Sequence, residues 1–375
     1  MPRRPRIVIA HDYLTQRGGA ERVVLAMARA FPGAPVVTTL YDPDGTYPEF
    51  ADLDIRVSPL NRVPLLRHSH RLALPLLAPT VSRMPLDADV VIASSSGWAH
   101  GFPTTGRKLV YCHSPARWLY QTEQYLGSGA AGSARAVALA PLKAPLTRWD
   151  RRAARTADVY VANSTVVAER IQRVYGFHAG VLFPPVGLDP DGPQATVGAA
   201  SDWAEAGFHL LVSRLLPYKN VEPVVAAFRR MPDRRLVVVG AGPLRDTLAA
   251  TLPATVRLVS DLDDAQLRWL YAHCTAVVAP SHEDFGLTPV EGMSHGKPTV
   301  ALRGGGYLDT VVEGHTGVFF EVPEPEEIVA AVRAAAETTW DARSIRSESG
   351  RFAEGRFAAR LQELVGRLEF RETMA

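Results

Sequence analysis

Two glutamates, Glu283 and Glu291, lie eight residues apart in the segment Ser281-His-Glu-Asp-Phe-Gly-Leu-Thr-Pro-Val-Glu291. The apolar run at 276–280 is typical of a buried parallel strand, and Pro289 suits the first position of a helix. One carboxylate is therefore expected on the loop at the strand's carboxyl end, and the other one turn into the next helix. Backbone N–H groups between them would bind an anion. Carboxylates for hydroxyl groups beside amides for phosphate suit a nucleotide sugar.

Two cations follow another predicted strand, in Val212-Ser-Arg-Leu-Leu-Pro-Tyr-Lys-Asn220. Arg214 offers a planar fork of donors and Lys219 a compact charge, and both suit a diphosphate. Such a pair neutralises a leaving diphosphate without a metal ion. The alternative is a pair of solvated cations on a surface loop.

Apolar runs and helical stretches alternate along the chain, which predicts α/β units with doubly wound parallel sheets. In the first half the predicted strands are 6–10, 36–40, 90–93, 108–111 and 159–162, and residues 181–186 close that half. In the second half they are 208–212, 236–240, 256–259, 276–279 and 299–301. The polar stretch 187–205 is the predicted linker. A length of 375 residues is enough for two such domains.

Composition indicates a protein with a full core in a reducing compartment. Hydrophobic residues make up 47% of the chain, and no uncharged apolar run reaches the ~18 residues of a spanning helix. The basic start, residues 1–6, leads into a strand rather than into the apolar core of a signal peptide. Cys112 and Cys274 have no metal-ligand spacing and predict no disulfide framework. We therefore expect a cytoplasmic location.

Charge divides the chain unevenly. Residues 1–185 contain 22 Lys and Arg against 13 Asp and Glu, residues 186–375 contain 19 against 26, and the whole chain carries +2. The asymmetry favours an acidic partner for the first half. Its basic residues alternate with leucines in 61–77 and recur at Lys143, Arg148, Arg151, Arg152 and Arg155. This pattern suits peripheral contact with the inner face of an anionic membrane, and equally a solvated helix face. No nucleic-acid-binding module accompanies the charge.

A dinucleotide-binding fingerprint is a competing interpretation of residues 236–244. Gly240 and Gly242 follow a strand, and Asp261 lies about twenty residues further on, where a ribose-binding acid is expected. Arg245, however, occupies the position of the third glycine. The fingerprint is therefore incomplete and favours a scaffold role for these glycines.

The glutamate pair resembles the Glu-x7-Glu motif of retaining GT-B glycosyltransferases of family GT4 (glycosyl transferases group 1). In that family the first glutamate contacts the donor hexose and the second the donor ribose, roles that would fall to Glu283 and Glu291. The segment with the two cations resembles the family's Gly-Arg-Leu-x-x-x-Lys-Gly, with Ser213 and Asn220 in place of glycines. Gly304-Gly-Gly-Tyr-Leu-Asp-Thr-Val-Val-Glu-Gly-His-Thr-Gly317 is similar to a third block of the family.

The first half carries more particular features of the resemblance. Asp12-Tyr-Leu-Thr-Gln-Arg-Gly-Gly-Ala-Glu-Arg22 looks like the family's Gly-Gly loop, in which Glu21 could serve only the helix start. In Tyr111-Cys-His-Ser-Pro-Ala-Arg117, His113 aligns with a family histidine that approaches the donor sugar. Both segments look like those of mannosyltransferases that build bacterial O-antigen and exopolysaccharide.

The resemblance implies a set of site residues. Catalytic roles would fall to His113, Glu283, Arg214 and Lys219. Acceptor contacts would come from Gly18, Tyr13, Arg117 and Trp118. Donor contacts would come, besides the two cations, from Gly19, Gly240, Leu262, Asp284, Phe285, Gly286, Leu287, Thr288 and Glu291. No metal or other cofactor is implied, because Asp261-Leu-Asp-Asp264 is expected to border the base pocket instead.

The resemblance also implies an architecture and a reaction. Residues 1–186 would form an acceptor-binding Rossmann-like domain and 187–349 a nucleotide-sugar-binding one across a cleft, with 350–375 a helix returning to the first domain. We expect transfer of a hexosyl group, from GDP-mannose by resemblance, to a glycan or polyprenyl-linked saccharide. A sugar-nucleotide epimerase of the same fold and a non-catalytic GT-B scaffold protein are the alternatives. Donor incubated without acceptor would yield an isomer only with the epimerase.

Overall fold

The computed structural model describes residues 5–68, 70–121 and 134–370. Within these ranges the chain forms two compact units, one of residues up to Pro185 together with those from Glu354 onward, and one of Val186–Ala353. Each unit contains one parallel sheet with helices. Two Rossmann-like units of this kind make up the GT-B fold, as the sequence predicts.

The first unit contains a seven-stranded sheet in the order β3-β2-β1-β4-β5-β6-β7. Its strands are β1 (Ile7–His11), β2 (Val36–Thr38), β3 (Ile55–Val57), β4 (Val90–Ser95), β5 (Arg107–Cys112), β6 (Val159–Ala162) and β7 (Gly180–Val181). Its helices are α1 (Gly19–Ala30), α2 (Pro64–His68), α3 (His70–Val81), α4 (Arg117–Tyr120), α5 (Ala134–Ala154), α6 (Thr165–Tyr175) and the last helix of the chain (Glu354–Phe370).

The second unit contains a six-stranded sheet in the order β10-β9-β8-β11-β12-β13. Its strands are β8 (Phe208–Val212), β9 (Leu236–Val239), β10 (Val256–Val259), β11 (Cys274–Ala279), β12 (Thr299–Leu302) and β13 (Gly317–Phe320). Its helices are α7 (Val221–Arg229), α8 (Arg245–Ala249), α9 (Asp264–His273), α10 (Leu287–Ser294), α11 (Tyr307–Thr310), α12 (Pro325–Glu337) and α13 (Ala342–Ser349). In chain order the last helix of the first unit is then α14.

Strand order places a switch point in each sheet. In the first unit, β1 pairs with both β2 and β4, so the chain leaves β1 toward one edge and later returns to its other side. In the second unit β8 holds the same position between β9 and β11. Loops at the carboxyl ends of the two central strands diverge there, and ligands bind at such points in open α/β sheets.

The polar stretch 187–205 is not the linker that its composition predicts. Leu188, Val197 and Trp203 are buried in the second unit's core, and Gly198–Trp203 forms a 3₁₀ helix. The chain passes between units at Pro185 and again after Ala353. The few apolar residues that pack this stretch against the sheet are outnumbered by polar ones, so its composition resembles that of a linker.

Other differences are local. The short strands β3, β7 and β13 were not predicted, because none of them has a long apolar run. Pro289 is the third residue of α10 rather than the first. That position still needs no N–H, since the first turn of a helix has no intrahelical acceptors.

The last helix, α14, packs within the first unit. Phe357, Leu361 and Val365 are buried with side chains of α1, and Arg29 of α1 forms an ion pair with Glu354. Burial of these apolar side chains, each contributing about 1.5–3 kcal/mol, attaches the chain end to the first unit. None of the helices in the described ranges is long and apolar enough to span a membrane.

Candidate active site

An ion pair lies at the switch point of the second sheet. Lys219 ends a 3₁₀ turn after β8, and its ammonium group contacts the Glu283 carboxylate on the loop after β11. The same Glu283 oxygen accepts a hydrogen bond of 2.6 Å from Ser281. Asn220 has φ +55°, which explains why a glycine suits this position, and its amide donates to the Pro280 carbonyl. Strand ends far apart in sequence thus hold the predicted cation and carboxylate together.

The glycine tract 304–306 fixes the backbone of the Glu283 loop. The Gly306 N–H donates to the Glu283 carbonyl at 2.9 Å. A Cβ on Gly305, where φ is +62°, would lie 2.3 Å from that carbonyl oxygen, and one on Gly306 would lie 2.3 Å from Cα of Phe285. Side chains would separate the two backbones, so the tract allows a contact that only glycine permits.

Gly286 turns the chain into α10. Its φ is +88°, and a Cβ there would lie 2.3 Å from the Tyr307 ring. Leu287 and Thr288 are the first two helical residues, so their N–H groups have no intrahelical acceptor. The buried ring of Phe285 packs edge-on against Phe352 and holds this turn in place. Two helix N–H groups without intrahelical acceptors therefore follow the Glu283 loop along the chain.

Glu291 is buried one turn further along α10, and its carboxylate accepts a hydrogen bond of 2.7 Å from the hydroxyl of Tyr271 on α9. Burial, with the neighbouring Glu291 charge, raises the pKa of Tyr271 well above its usual range. Tyr271 consequently remains a hydroxyl donor and fixes the orientation of this carboxylate.

The remaining residues that were predicted to contact the donor differ in exposure and in structural role. Arg214 is exposed and contacts the Tyr218 hydroxyl, so its guanidinium is accessible to a ligand. Gly240 has a structural role, because a Cβ there would lie 1.9 Å from the Ser213 carbonyl oxygen. Leu262 is half-buried against the sheet, and Asp263 caps α9. Asp284, a predicted donor contact, is buried.

In the first unit, His113 belongs to a buried chain of polar groups at the carboxyl ends of β1, β4 and β5. Its Nε2 lies 2.8 Å from the Ser94 hydroxyl, which is also 3.0 Å from Nδ1 of His11. The other His11 nitrogen is 4.0 Å from the Glu21 carboxylate. Burial lowers the pKa of His11, but Glu21 and Asp12 raise it by more, so this pKa lies above its ordinary value.

The predicted acceptor residues lie at the same edge of the first sheet. Gly18 precedes α1, directly after the loop that leaves β1, and Gly19, a predicted donor contact, is the first residue of that helix. Tyr13 packs against the core of this unit, Arg117 begins α4, and the half-buried Trp118 stacks on Trp98 at 5.1 Å. Trp118 therefore has one face in the protein interior.

The sequence does not predict several residues that contact the predicted site residues. Tyr271 lies in a largely apolar stretch of helix, Ser94 follows an apolar run, Tyr307 follows the glycines 304–306, and His11 ends a strand. Glu21, for which a role at the helix start alone was one possibility, is buried with its carboxylate 4.0 Å from His11. Each acquires its partner across strands or helices, so no spacing along the sequence indicates it.

Each half of the chain matches the model of a known protein family. The family described as Glycosyl transferases group 1 matches residues 204–351, and the one described as Glycosyltransferase Family 4 matches residues 17–190. Together the two matches extend over most of the chain, and both are to families of glycosyltransferases. The two matches contain the Lys219–Glu283 pair and, of the polar chain, Glu21, Ser94 and His113, whereas His11 precedes the matched residues.

Curated relatives match this chain in part. D-rhamnosyltransferase WbpZ of Pseudomonas aeruginosa is 32% identical over 185 residues, which is 46% of this chain and 47% of the relative. A GDP-mannose-dependent phosphatidylinositol monomannoside mannosyltransferase of Mycolicibacterium smegmatis is 28% identical, over 48% of this chain and 54% of its own length. The chain aligns with about half the length of the curated relatives it matches.

Solved structures share the fold over nearly the whole chain. HepE of Anabaena, crystallised with UDP-glucose, has a TM-score of 0.70 at 19% identity and covers 96% of this chain and 99% of its own. Sucrose-phosphate synthase of Thermosynechococcus elongatus has a TM-score of 0.68 at 18% identity and covers 97% of this chain and 99% of its own. These likenesses confirm the predicted GT-B fold.

Proposed function

We propose that this chain transfers a hexosyl group from a nucleoside-diphosphate sugar to a glycan or lipid-linked saccharide, with retention at the anomeric carbon. The observation that carries the proposal is the Lys219–Glu283 pair next to the start of α10. It combines a carboxylate, a cation and backbone donors on one edge of the sheet, as a sugar linked to a diphosphate requires. Glu291, oriented by Tyr271, is the proposed ribose ligand.

The reaction breaks the bond between the anomeric carbon and the diphosphate oxygen and forms one to an acceptor oxygen on the same face. Negative charge grows on the diphosphate as it leaves. Lys219, Arg214 and the N–H groups of Leu287 and Thr288 would stabilise that charge, which is the largest contribution such a site makes. A departing phosphate oxygen takes the acceptor proton, so the chemistry needs no metal. Activity should accordingly survive EDTA, and loss restored by Mg²⁺ would contradict the metal-free scheme.

GDP-mannose is the proposed donor, and the likeness to the mannosyltransferase of Mycolicibacterium smegmatis supports it. Thermal-shift measurements across nucleotide sugars test it directly, because a ligand that binds only the folded state raises the melting temperature. We expect a shift with GDP-mannose. A shift with UDP-sugars and none with GDP-mannose would replace the donor while leaving the transferase proposal standing.

A transfer assay tests the reaction itself. Donor and a mannosylated oligosaccharide should yield free nucleoside diphosphate and an α-linked product by NMR. Conversion of donor to an isomer without acceptor would indicate an epimerase instead. Donor binding with neither outcome, for any acceptor tried, would indicate a non-catalytic protein.

Peripheral membrane contact is proposed for the first unit. Leu65, Leu72 and Leu76 on α2 and α3 are exposed by 66%, 45% and 44%. α3 packs beside α5, whose exposed residues include Lys143, Arg148, Arg151 and Arg152. Apolar side chains beside cations fit an anionic bilayer surface, where each basic residue contributes ~1 kcal/mol. The side chain of Arg71, part of the predicted basic stretch, lies outside the described residues.

Vesicle co-sedimentation tests this contact. Binding should require anionic lipid and weaken with salt, because salt screens the cations. Replacing Leu65 and Leu72 with serine should reduce pelleting, while a matched change of exposed Leu308 in the second unit should not. Equal pelleting with neutral and anionic vesicles would assign the basic face to another role.

A further inference from the structure

We propose that Glu21, His11 and Ser94 form a positioning relay that holds His113 as the neutral tautomer with its proton on Nδ1. In that form His113 would present a hydrogen-bond donor to the substrate. The inference deepens the proposed function and rests on it for the substrate, although the tautomer itself can be measured without any substrate.

The relay is assembled by strand register. His11 is opposite Ser94 across β1 and β4, and Ser94 is opposite Tyr111 across β4 and β5, so His113 follows two residues beyond that partner. All three relay side chains are at most 2% exposed. Water therefore does not compete for the hydrogen bonds from His11 to Ser94 and from Ser94 to His113. Glu21 acts on His11 through its charge, at 4.0 Å.

The direction of the hydrogen bonds follows from the charge at the buried end. With the Glu21 and Asp12 carboxylates beside it, His11 is favoured as an imidazolium, in which both ring nitrogens are donors. Its Nδ1 lies 3.1 Å from the Ser94 carbonyl and 3.0 Å from the Ser94 hydroxyl, so Ser94 must accept. The hydroxyl proton of Ser94 is then directed to Nε2 of His113, 2.8 Å away. A His113 nitrogen that accepts leaves the ring proton on Nδ1.

The relay also explains the glycine at position 18. A Cβ there would lie 2.5 Å from Oε2 of Glu21, and no donor among the described residues reaches that buried oxygen. Oε1 is held by the Gln16 amide at 3.0 Å. Gly18 thus lets the loop after β1 close over the carboxylate that sets the charge of His11. A larger residue would displace Glu21 from the relay.

Nitrogen-15 NMR of histidine-labelled full-length protein tests the tautomer directly, since protonated and unprotonated ring nitrogens differ widely in chemical shift. In the wild type, His113 should show a protonated Nδ1 and an unprotonated Nε2. Ser94→Ala and Glu21→Gln should shift His113 toward the Nε2-protonated form. The matched control is Ser95→Ala, which removes another buried hydroxyl from the same strand and should leave the His113 signals unchanged.

Kinetics then separate positioning from stability. Ser94→Ala should lower kcat about ten-fold with donor KM nearly unchanged, while its melting temperature stays close to that of Ser95→Ala. A wild-type His113 protonated on Nε2, or an identical tautomer in Ser94→Ala, would overturn the relay. A changed tautomer with unchanged kcat would overturn its positioning role. A relay seen by NMR in a chain that transfers no sugar would instead refute the proposed function alone.

Discussion

The first strand of each unit carries a buried histidine, at opposite ends of the two sheets. His11 is at the carboxyl end of β1, whereas His209 is near the amino end of β8. Carboxylates beside His11 raise its pKa above the ordinary value. Burial lowers the pKa of His209 to about 4, and the neighbouring Arg234 charge adds to that shift, while the hydrogen bond with the Arg235 carbonyl opposes it.

The difference shows that position in the sheet, rather than burial, sets the charge state. Carboxyl ends of the strands gather charged partners in both units, as the Lys219–Glu283 pair shows for the second. At the amino end of β8 the histidine packs edge-on against Phe228 and stays neutral. Changes at carboxyl ends should therefore affect turnover, and changes at the amino end should affect stability alone.

The largest effect is expected at the carboxyl end of the second sheet. Replacing Lys219 with Ala removes a charge that would stabilise the leaving diphosphate and leaves Glu283 without its cation. We expect kcat/KM to fall about 100-fold or more, and Arg214→Ala to cost at least ten-fold. Arg245→Ala, which removes an exposed cation bonded to Ser260, is the matched control. Near-normal turnover in both site variants would disprove the diphosphate role.

The second-largest effect is expected from a change in backbone conformation at the carboxyl end of the second sheet. Gly286→Ala places a Cβ at φ +88° against the Tyr307 ring, so the turn into α10 must shift. Strain of this kind costs about 1–3 kcal/mol, and donor binding should weaken with the displaced N–H groups. Gly314→Ala is the control, since its φ is +73° but nothing lies within 4 Å of the added Cβ. Equal donor affinity in the two variants would show that the turn does not bind the donor anion.

The carboxyl ends of the two sheets show how much of the fold and of the site can be predicted from the sequence. Apolar runs located most strands, because a buried parallel strand needs little beyond a short hydrophobic segment. The Glu283–Glu291 spacing located the donor edge, since it lies within one loop and one helix. Ser94 and Tyr271 could not be predicted, because their partners are His113 and Glu291, on other elements. Strand order, which sequence patterns do not specify, brings those pairs together.

Because His209 is buried at the amino end of β8, we expect the second unit to lose stability at acidic pH. Unfolded chains protonate His209 below pH ~6.5, but the folded unit binds that proton only near pH 4. Between these values the unfolded state holds more protons, so stability rises with pH and is fully restored above pH ~6.5. The loss from pH 7.5 to 5 should be about 2 kcal/mol. His11 acts oppositely, since its raised pKa stabilises the fold below pH ~6.5 and that contribution is lost as pH rises through the folded value.

Urea unfolding at a series of pH values measures how steeply the free energy of unfolding changes with pH. His209→Asn should flatten this slope between pH 5 and 6.5 without reducing kcat, and His178→Asn, which changes an exposed histidine, should leave the slope unaltered. An unchanged slope in His209→Asn would place the acid sensitivity elsewhere. Reduced turnover in that variant would contradict the division between the two ends of the sheet.

The smallest effect should come from the hydroxyl that orients Glu291. Tyr271→Phe keeps the buried ring and removes only the donor 2.7 Å from the carboxylate. A typical hydrogen bond to a charged group contributes about 1.5–3 kcal/mol, and part of it would be recovered by reorientation of Glu291. Because the proposed ribose contact is made equally in the ground and transition states, KM for the donor should rise about five-fold with kcat unchanged. Tyr307→Phe, whose hydroxyl lies 3.4 Å from Ser281 at the Glu283 loop, should instead lower kcat. If Tyr271→Phe lowered kcat and left KM alone, Glu291 would belong to the chemistry rather than to nucleotide binding.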